Sequence, residues 1–161
     1  MTKDISHEYV IALGSNMRMP RVGGPRRVLH AAIEVLASEG IEVLDVSRIR
    51  SSLPVGPSQR RYANSAARIE APLGPPRFLE LLQDIETRFG RKHRGERWRS
   101  RPLDLDIILW SGGAWLSPGL TIPHPLFRTR DFVSRPAAEV APHWLDPVTG
   151  LTLRQISARA S

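Results

Sequence analysis

The sequence predicts an α+β domain in which helices pack on an antiparallel sheet. Two stretches carry apolar residues at helical spacing, and each is preceded by proline and closed by glycine, which favour a helix start and a helix end. Four other stretches are short and apolar or alternate between apolar and polar residues, as strands do. Up to residue 110 these elements follow in the order β-α-β-β-α-β, and a proline-rich segment comes after them.

The first three elements are a strand, a helix and a strand. The apolar run 9–13 ends at a Gly-Ser-Asn turn, which predicts a buried strand. A helix is predicted from Pro25 to just before Gly40. Its apolar stripe consists of Val28, Leu29, Ala32, Ile33 and Leu36. Residues 41–49 alternate in polarity and predict the second strand.

The next three elements are a strand, a helix and a strand. Residues 62–70 alternate, prolines at 75 and 76 mark a helix start, and Gly90 ends that helix. The helical stripe consists of Phe78, Leu81, Leu82, Ile85 and Phe89. Residues 103–110 predict the last strand, and short helices are expected near 126–133, 136–140 and 151–157. This order is that of a ferredoxin-like βαββαβ core with a C-terminal extension, which we expect to form one domain over residues 1–161.

Composition excludes several classes of site and protein. The chain has no cysteine, so it has no disulfides, thiolate metal sites or cysteine nucleophiles. Residues 1–8 are polar and carry two acids, unlike a signal peptide, and no apolar run approaches the roughly 18 residues of a membrane-spanning helix. We therefore expect a cytoplasmic protein without a membrane partner, and we expect a monomer.

The charge is strongly basic and unevenly distributed. The formal net charge is +7, and only two of the 23 basic residues are lysine. Seven of the fourteen residues from 88 to 101 are Lys or Arg. An anionic partner accounts for this bias, because guanidinium binds phosphate through two parallel hydrogen bonds. A genome whose base composition favours arginine codons accounts for it equally well.

Two aspartates in the last predicted strand are candidate metal ligands. Asp104 and Asp106 lie on the same side of that strand, roughly 7 Å apart at the backbone. Adjacent carboxylates repel each other unless a cation lies between them, and oxygen ligands suit Mg²⁺. The basic stretch ends at Arg101, so cations and acids together fit a polyphosphate with Mg²⁺. Taken alone, the pair also fits a solvated sheet face whose acids pair with arginines.

Several motifs occur together in an order typical of one enzyme family. The quoted segments are Ala12-Leu-Gly-Ser-Asn16, Val55-Gly-Pro57, Tyr62-Ala-Asn64-Ser-Ala66, Gly90-Arg91, Glu96-Arg97-Trp98, Arg101-Pro-Leu-Asp104-Leu-Asp106-Ile, and Ile122-Pro-His124 with Arg130 and Phe132. With them the chain resembles the hydroxymethyl-dihydropterin pyrophosphokinases over residues 9–157. The resemblance implies a folate-pathway enzyme that transfers pyrophosphate from ATP to the hydroxymethyl group of a reduced pterin and releases AMP.

The resemblance also implies a role for each matching residue. Asp104 and Asp106 would hold two Mg²⁺ ions, and Arg91 and Arg101 would stabilise charge on the phosphates in the transition state. The residues implied around ATP are Gln83, Glu86, Arg94, Arg97, Ile107, Thr121, His124 and Arg130. Those implied around the pterin are Val55, Tyr62, Asn64, Trp98 and Phe132.

The chain departs from the family pattern around the pterin and in the basic loop. Arg99-Ser100 stands where the family usually has Gly-Pro, Ser52-Leu53 replaces Thr-Pro, and Gln59-Arg60-Arg61 replaces Asp-Gln-Pro. One alternative is therefore a diverged member that binds ATP but has an altered or lost pterin reaction. The other is a ferredoxin-like nucleic-acid-binding domain. Because the chain lacks the aromatic pattern of RNA-binding strands, we expect no nucleic-acid partner.

Overall fold

A computed structural model of the chain describes residues 5–52, 61–90 and 102–160. In chain order the elements are β1 (His7–Ser15), α1 (Pro25–Ser38), β2 (Glu42–Val46), β3 (Arg50–Ser52), β4 (Tyr62–Ala71), α2 (Pro75–Arg88), β5 (Asp104–Trp110), β6 (Trp115–Ser117), β7 (Leu120–Ile122), α3 (Asp131–Val140) and α4 (Leu153–Arg159), with a 3-10 turn at Phe127–Thr129. The predicted α+β architecture is confirmed.

The main sheet is antiparallel, with strand order β2-β4-β1-β5 and with β3 also paired to β4. With β2 and β3 taken as one interrupted strand, this is the predicted ferredoxin-like arrangement. The interruption lies at Ser47, whose backbone N–H donates to the Ala66 carbonyl at 2.8 Å and whose hydroxyl accepts from the Ala66 N–H at 2.9 Å. The single strand predicted over 41–49 is therefore divided, because the Ser47 hydroxyl replaces a backbone carbonyl as the acceptor of one hydrogen bond between the strands.

The helices α1 and α2 cover one face of the sheet. Each begins with proline after a glycine, Gly24 or Gly74, and neither has a side-chain cap. Beyond α1, Gly40 has a φ of +82°, a conformation that glycine adopts at low cost. The buried core between these helices and the sheet includes Tyr9, Leu29, Leu36, Phe78, Leu82 and Ile85. The two stripes read from the sequence are thus the packing faces of both helices.

The C-terminal segment covers part of the opposite face. Its core cluster joins Val10, Ala66, Ile108 and Leu109 of the sheet to Phe127, Ala137, Val140, Leu153 and Ile156. The predicted division into helices at 126–133 and 136–140 is wrong, because α3 is one helix that runs through Pro136. A proline costs a helix one hydrogen bond, and α3 keeps its course because Ala137 and Val140, which follow the proline, pack on the sheet. The helix expected near 151–157 is confirmed as α4.

A small hairpin, β6–β7, was not expected from the sequence. Its strands have three residues each and are joined by Pro118 and Gly119, which has a φ of +78°. Strands this short leave too little alternation to be recognised. Among the helices of the described residues, none has the length and apolar character needed to cross a membrane.

Candidate active site

Three residues from three neighbouring strands lie in one row across the sheet. Gly14 at the end of β1 pairs with Asn64 of β4 on one side and with Asp104 of β5 on the other. Paired residues of antiparallel strands share a face, and two strand spacings separate the backbones of Asp104 and Asn64 by about 10 Å. Gly14 has no side chain and is buried, and Asn64 Oδ1 and Tyr62 Cδ1 lie 3.6 and 3.7 Å from the position that a Cβ would take.

The two aspartates lie on the face away from α1 and α2. Asp106 pairs with Ala12, two residues along the strands from the pair of Asp104 and Gly14. The Asp106 side chain is exposed, whereas Asp104 is half-buried. The alternate residues Leu103, Leu105 and Ile107 are buried in the core with α1 and α2, as the strand pattern predicts.

The described residues contain no group of three or more His, Cys, Asp or Glu side chains arranged to hold a metal. A metal ion held by the two carboxylates alone would therefore fill most of its coordination positions with water and substrate oxygens. Mg²⁺ is usually held this way, by one or two carboxylates with waters and phosphates, whereas Zn²⁺ takes three or four protein ligands. The donor set at Asp104 and Asp106 thus fits magnesium bound together with a phosphate ligand.

His124 lies beside the aspartates because the chain after β7 continues along the edge of β5. Its backbone N–H donates to the Ile108 carbonyl at 3.0 Å, and its Nδ1 accepts from the Leu126 N–H at 3.1 Å. Burial lowers the pKa of His124; the charge of Asp106 opposes this effect and that of Arg130 adds to it. The ring is therefore neutral at pH 7, and because Nδ1 accepts, the proton is on Nε2, which is a hydrogen-bond donor.

Arg130 and Phe132 lie at the start of α3. The Arg130 guanidinium carbon is 5.7 Å from the centre of the Phe132 ring, within the range of a cation–π contact. Both side chains are half-buried. The helix start therefore presents a cation and an aromatic ring together, and the Arg130 charge lowers the pKa of His124.

Asn64 is oriented by a residue that sequence reasoning did not assign to the site. The Asn64 side chain is 6% exposed, and its Nδ2 donates to the Ser52 hydroxyl at 2.6 Å. The amide keeps Oδ1 as an acceptor and its second N–H as a donor. Ser52 pairs in register with Tyr62, which is half-buried near Gly14. The signal in the sequence is that Ser52 stands at one of the departures from the family pattern.

Four residues implied around ATP lie on three different elements. Glu86 of α2 is 5% exposed, and its carboxylate accepts from the Leu105 N–H at 2.9 Å. Because Leu105 lies between the aspartates, Glu86 fixes the strand that carries them. The Ile107 side chain is buried in the core, while Gln83 of α2 and Thr121 of β7 are exposed. Their roles toward a nucleotide stay predictions.

Six predicted site residues lie outside the described residues: Val55, Arg91, Arg94, Arg97, Trp98 and Arg101. The residues that flank the basic segment are described. A Cβ on Gly90 would lie 4.0 Å from the Pro102 ring, so these two flanking residues lie side by side just before β5.

Comparison with known proteins assigns these residues to one family. The sequence model described as 7,8-dihydro-6-hydroxymethylpterin-pyrophosphokinase (HPPK) matches residues 10–142. The 2-amino-4-hydroxy-6-hydroxymethyldihydropteridine pyrophosphokinase of Synechocystis sp. is 40% identical over 151 residues, which cover 93% of this chain and 74% of the relative. The Haemophilus influenzae protein of the same name is 39% identical over 133 residues, 81% of this chain and 79% of the relative.

Two larger proteins also match. The "Folate synthesis bifunctional protein" of Arabidopsis thaliana is 36% identical over 134 residues, 83% of this chain and 27% of that protein. The crystal structure of Plasmodium falciparum HPPK-DHPS superposes with a TM-score of 0.67 at 12% identity, over 96% of this chain and 43% of that chain. At this identity the structural likeness bears on the fold, and it supports the ferredoxin-like assignment.

Proposed function

The chain belongs to the 7,8-dihydro-6-hydroxymethylpterin-pyrophosphokinase family, and on that premise we propose that it transfers a pyrophosphoryl group from ATP to 6-hydroxymethyl-7,8-dihydropterin. The hydroxymethyl oxygen attacks the β-phosphorus of ATP, and its hydroxyl proton passes to water. The new oxygen–phosphorus bond forms as the bond from the β-phosphorus to the AMP oxygen breaks. The products are AMP and the pterin diphosphate, and the reaction is a step of folate biosynthesis.

One observation carries this proposal, the row formed by Asp104, Gly14 and Asn64. The carboxylate end suits a metal-bound triphosphate, and the amide end offers a donor and an acceptor to the edge of a flat heterocycle. Gly14 adds no side chain between these two ends, so nothing from β1 would separate the two substrates. Positioning of this kind accounts for much of the catalysis in phosphoryl-type transfer.

Asp104 and Asp106 would hold two Mg²⁺ ions, which neutralise charge on the phosphate oxygens and orient them. The neutral His124 would donate its Nε2–H to a phosphate oxygen, and Arg130 would add a fixed positive charge beside it. Arg91 and Arg101 would stabilise the charge that spreads over the phosphates in the transition state, with Arg94 and Arg97 in support.

On the pterin side, Asn64 would hydrogen-bond the ring edge in the orientation that Ser52 imposes. Tyr62 and Phe132 would flank the ring faces, since aromatic walls bind planar heterocycles well. Val55 and Trp98 would complete this side. Gln83 and Thr121 would lie near the nucleotide, and Glu86 and Ile107, whose side chains are buried on the α1–α2 side, would act by holding β5 in place.

A second candidate function is ATP binding with a changed acceptor. It is favoured by the substitutions at 52–53, 59–61 and 99–100, which all fall on the pterin side or in the basic loop. Nucleic-acid binding is less well supported, because Asp104 and Asp106 on the open face repel a phosphate backbone.

The experiment that tests the proposal follows AMP release from ATP and Mg²⁺ with and without hydroxymethyl-dihydropterin. We expect AMP that depends on the pterin and stops when Mg²⁺ is chelated. ATP binding without pterin-dependent AMP would favour the changed acceptor. Binding of single-stranded RNA without affinity for ATP would overturn both readings in favour of a nucleic-acid partner.

A further inference from the structure

Glu139 of α3 contacts the connection between β2 and β3 at three points. Its Oε2 accepts from the Arg48 N–H at 2.6 Å, and its Oε1 accepts from Arg50 Nη2 at 3.0 Å. Arg48 Nε lies 3.5 Å from the same Oε1. One carboxylate therefore holds both the backbone and the side chains of the residues that lead into β3.

The strand that Glu139 holds is short and has few other attachments. Within the described part of the chain, β3 has three residues and pairs only with β4. Arg50 pairs in register with Asn64, and Ser52 at the other end orients the Asn64 amide. The position of β3 thus decides how Asn64 presents its hydrogen-bonding groups.

Arg50 depends on Glu139 for charge compensation. Its Nη1 is buried and has no hydrogen-bond partner among the described residues. Loss of Glu139 would leave a partly buried guanidinium without its counter-charge, which is costly, and β3 would lose the contact that holds it against α3. Arg50 and Glu139 also line an open groove of about 430 Å³ with Arg135 and Ser157. Removing the charge therefore opens no enclosed cavity.

We propose that Glu139 is a positioning residue for the pterin side of the site. It acts on the substrate through Arg50, β3, Ser52 and Asn64, and it touches no substrate itself. The same helix carries Phe132 in its first turn, so α3 sets the spacing between an aromatic wall and the amide that faces the ring edge. This inference rests on the proposed pterin reaction, and it adds Glu139 to the residues that determine how the pterin is bound.

The test compares Glu139→Gln with Glu8→Gln. Glu8 forms a matched ion pair with Arg68, also at 3.0 Å and with similar exposure, about 20 Å along β1 from Gly14. We expect Glu139→Gln to raise the KM for the pterin about three- to tenfold, while kcat and the KM for ATP stay within about twofold. Glu8→Gln should leave all three unchanged, with a similar effect on Tm.

A double-mutant cycle with Arg50→Met sharpens the test. If Glu139 acts through Arg50, the double variant should raise the pterin KM no further than either single variant does. Equal pterin KM values for Glu139→Gln, Glu8→Gln and wild type would overturn the inference while leaving the proposed function standing. A wild-type protein that releases no pterin-dependent AMP and does not quench pterin fluorescence would overturn the proposed function, and the inference with it.

Discussion

One face of the sheet is divided into a covered half and an open half, and both are built from the same strands. The covered half consists of Val10, Ala66, Ile108 and Leu109 beneath α3 and α4. The open half, which α3 and α4 leave uncovered, holds Asp104, Gly14 and Asn64, at most a few residues further along those strands; Asp104 is half-buried, and Gly14 and Asn64 are buried by other contacts. Ala12, which pairs with both Ala66 and Asp106, marks the boundary and is partly buried.

The difference shows that the extent to which α3 and α4 cover the sheet decides which strand residues belong to the core and which belong to the site. A strand alternates between faces along its length, and that alternation is the same in both halves. What changes is whether a helix lies above. We therefore expect substitutions in the open half to reduce activity and those in the covered half to reduce stability.

The largest expected effect is the loss of activity in Asp106→Asn. The change removes a charge from the open half and keeps the shape of the side chain. We expect kcat to fall about 10²- to 10³-fold, as when an electrostatic contact to the transition state is lost, with little change in Tm. Pterin-dependent AMP release measures it. Asp45→Asn, an exposed aspartate on β2, is the control and should keep full activity; similar losses in both variants would contradict the assignment.

The next largest effect is a loss of stability in the C-terminal segment that covers the sheet. Burial raises the pKa of Asp146, but hydrogen bonds from Arg128, Thr149 and Val148 outweigh it and lower the pKa to about 2, from an ordinary 3.8. Stabilisation from a lowered carboxyl pKa is present above pH 4 and is lost as the pH falls toward 2. It amounts to about 2 kcal/mol.

Asp146→Asn should therefore lower the free energy of unfolding by about 2 kcal/mol at pH 7 and by little at pH 2. Urea unfolding at both pH values measures this. Activity per folded molecule should stay unchanged. A difference between variant and wild type that is as large at pH 2 as at pH 7 would show that Asp146 stabilises the loop by shape rather than by charge.

A smaller effect is expected from Gly14→Ala, at the centre of the open half. A Cβ there would lie 3.6 Å from Asn64 Oδ1 and 3.7 Å from Tyr62 Cδ1, which are ordinary contacts. Alanine also favours a strand more than glycine does, so Tm should not fall. The methyl group occupies the space between carboxylate and amide and should lower kcat/KM by about tenfold. Unchanged kcat/KM would mean that the substrates do not meet over Gly14.

The smallest effect is expected from Ile108→Val in the covered half. Ile108 is 1% exposed, and losing one buried methylene should lower the free energy of unfolding by about 0.5–1.5 kcal/mol. The kinetic constants should not change. Val46→Ala, at a 40% exposed position, should cost less than about 0.5 kcal/mol. A change in kcat/KM for Ile108→Val would show that the two halves are coupled.

Local signals explain why most of the fold can be predicted from the sequence. The proline and glycine around α1 and α2 act within one turn of the chain, and the apolar stripes of both helices are long enough to show their period. The break in the strand at Ser47 and the passage of α3 through Pro136 cannot be predicted in this way. Both depend on contacts with distant elements, β4 in one case and, through Ala137 and Val140 of α3, the sheet face in the other.

In the candidate site, too, local sequence patterns predict some features, and long-range contacts determine the others. The alternation around Asp104 and Asp106 correctly predicts that they share a face opposite the core. The support that Ser52 gives to Asn64, and that Glu139 gives to Arg48 across 91 residues, leaves no local pattern. The proton position on His124 likewise follows from a contact with the Leu126 N–H, which only the folded chain brings about.

The pairing of Gly14 with two strands has a consequence for how the protein folds. Its partners come 50 and 90 residues later in the chain. Contacts of such long range require large loops to close before they stabilise anything, which slows folding relative to a helical bundle of the same size. The row of site residues therefore assembles only when the central strand is paired on both sides. A nucleotide analogue that binds this row should raise the Tm of the whole chain, in proportion to the logarithm of its concentration.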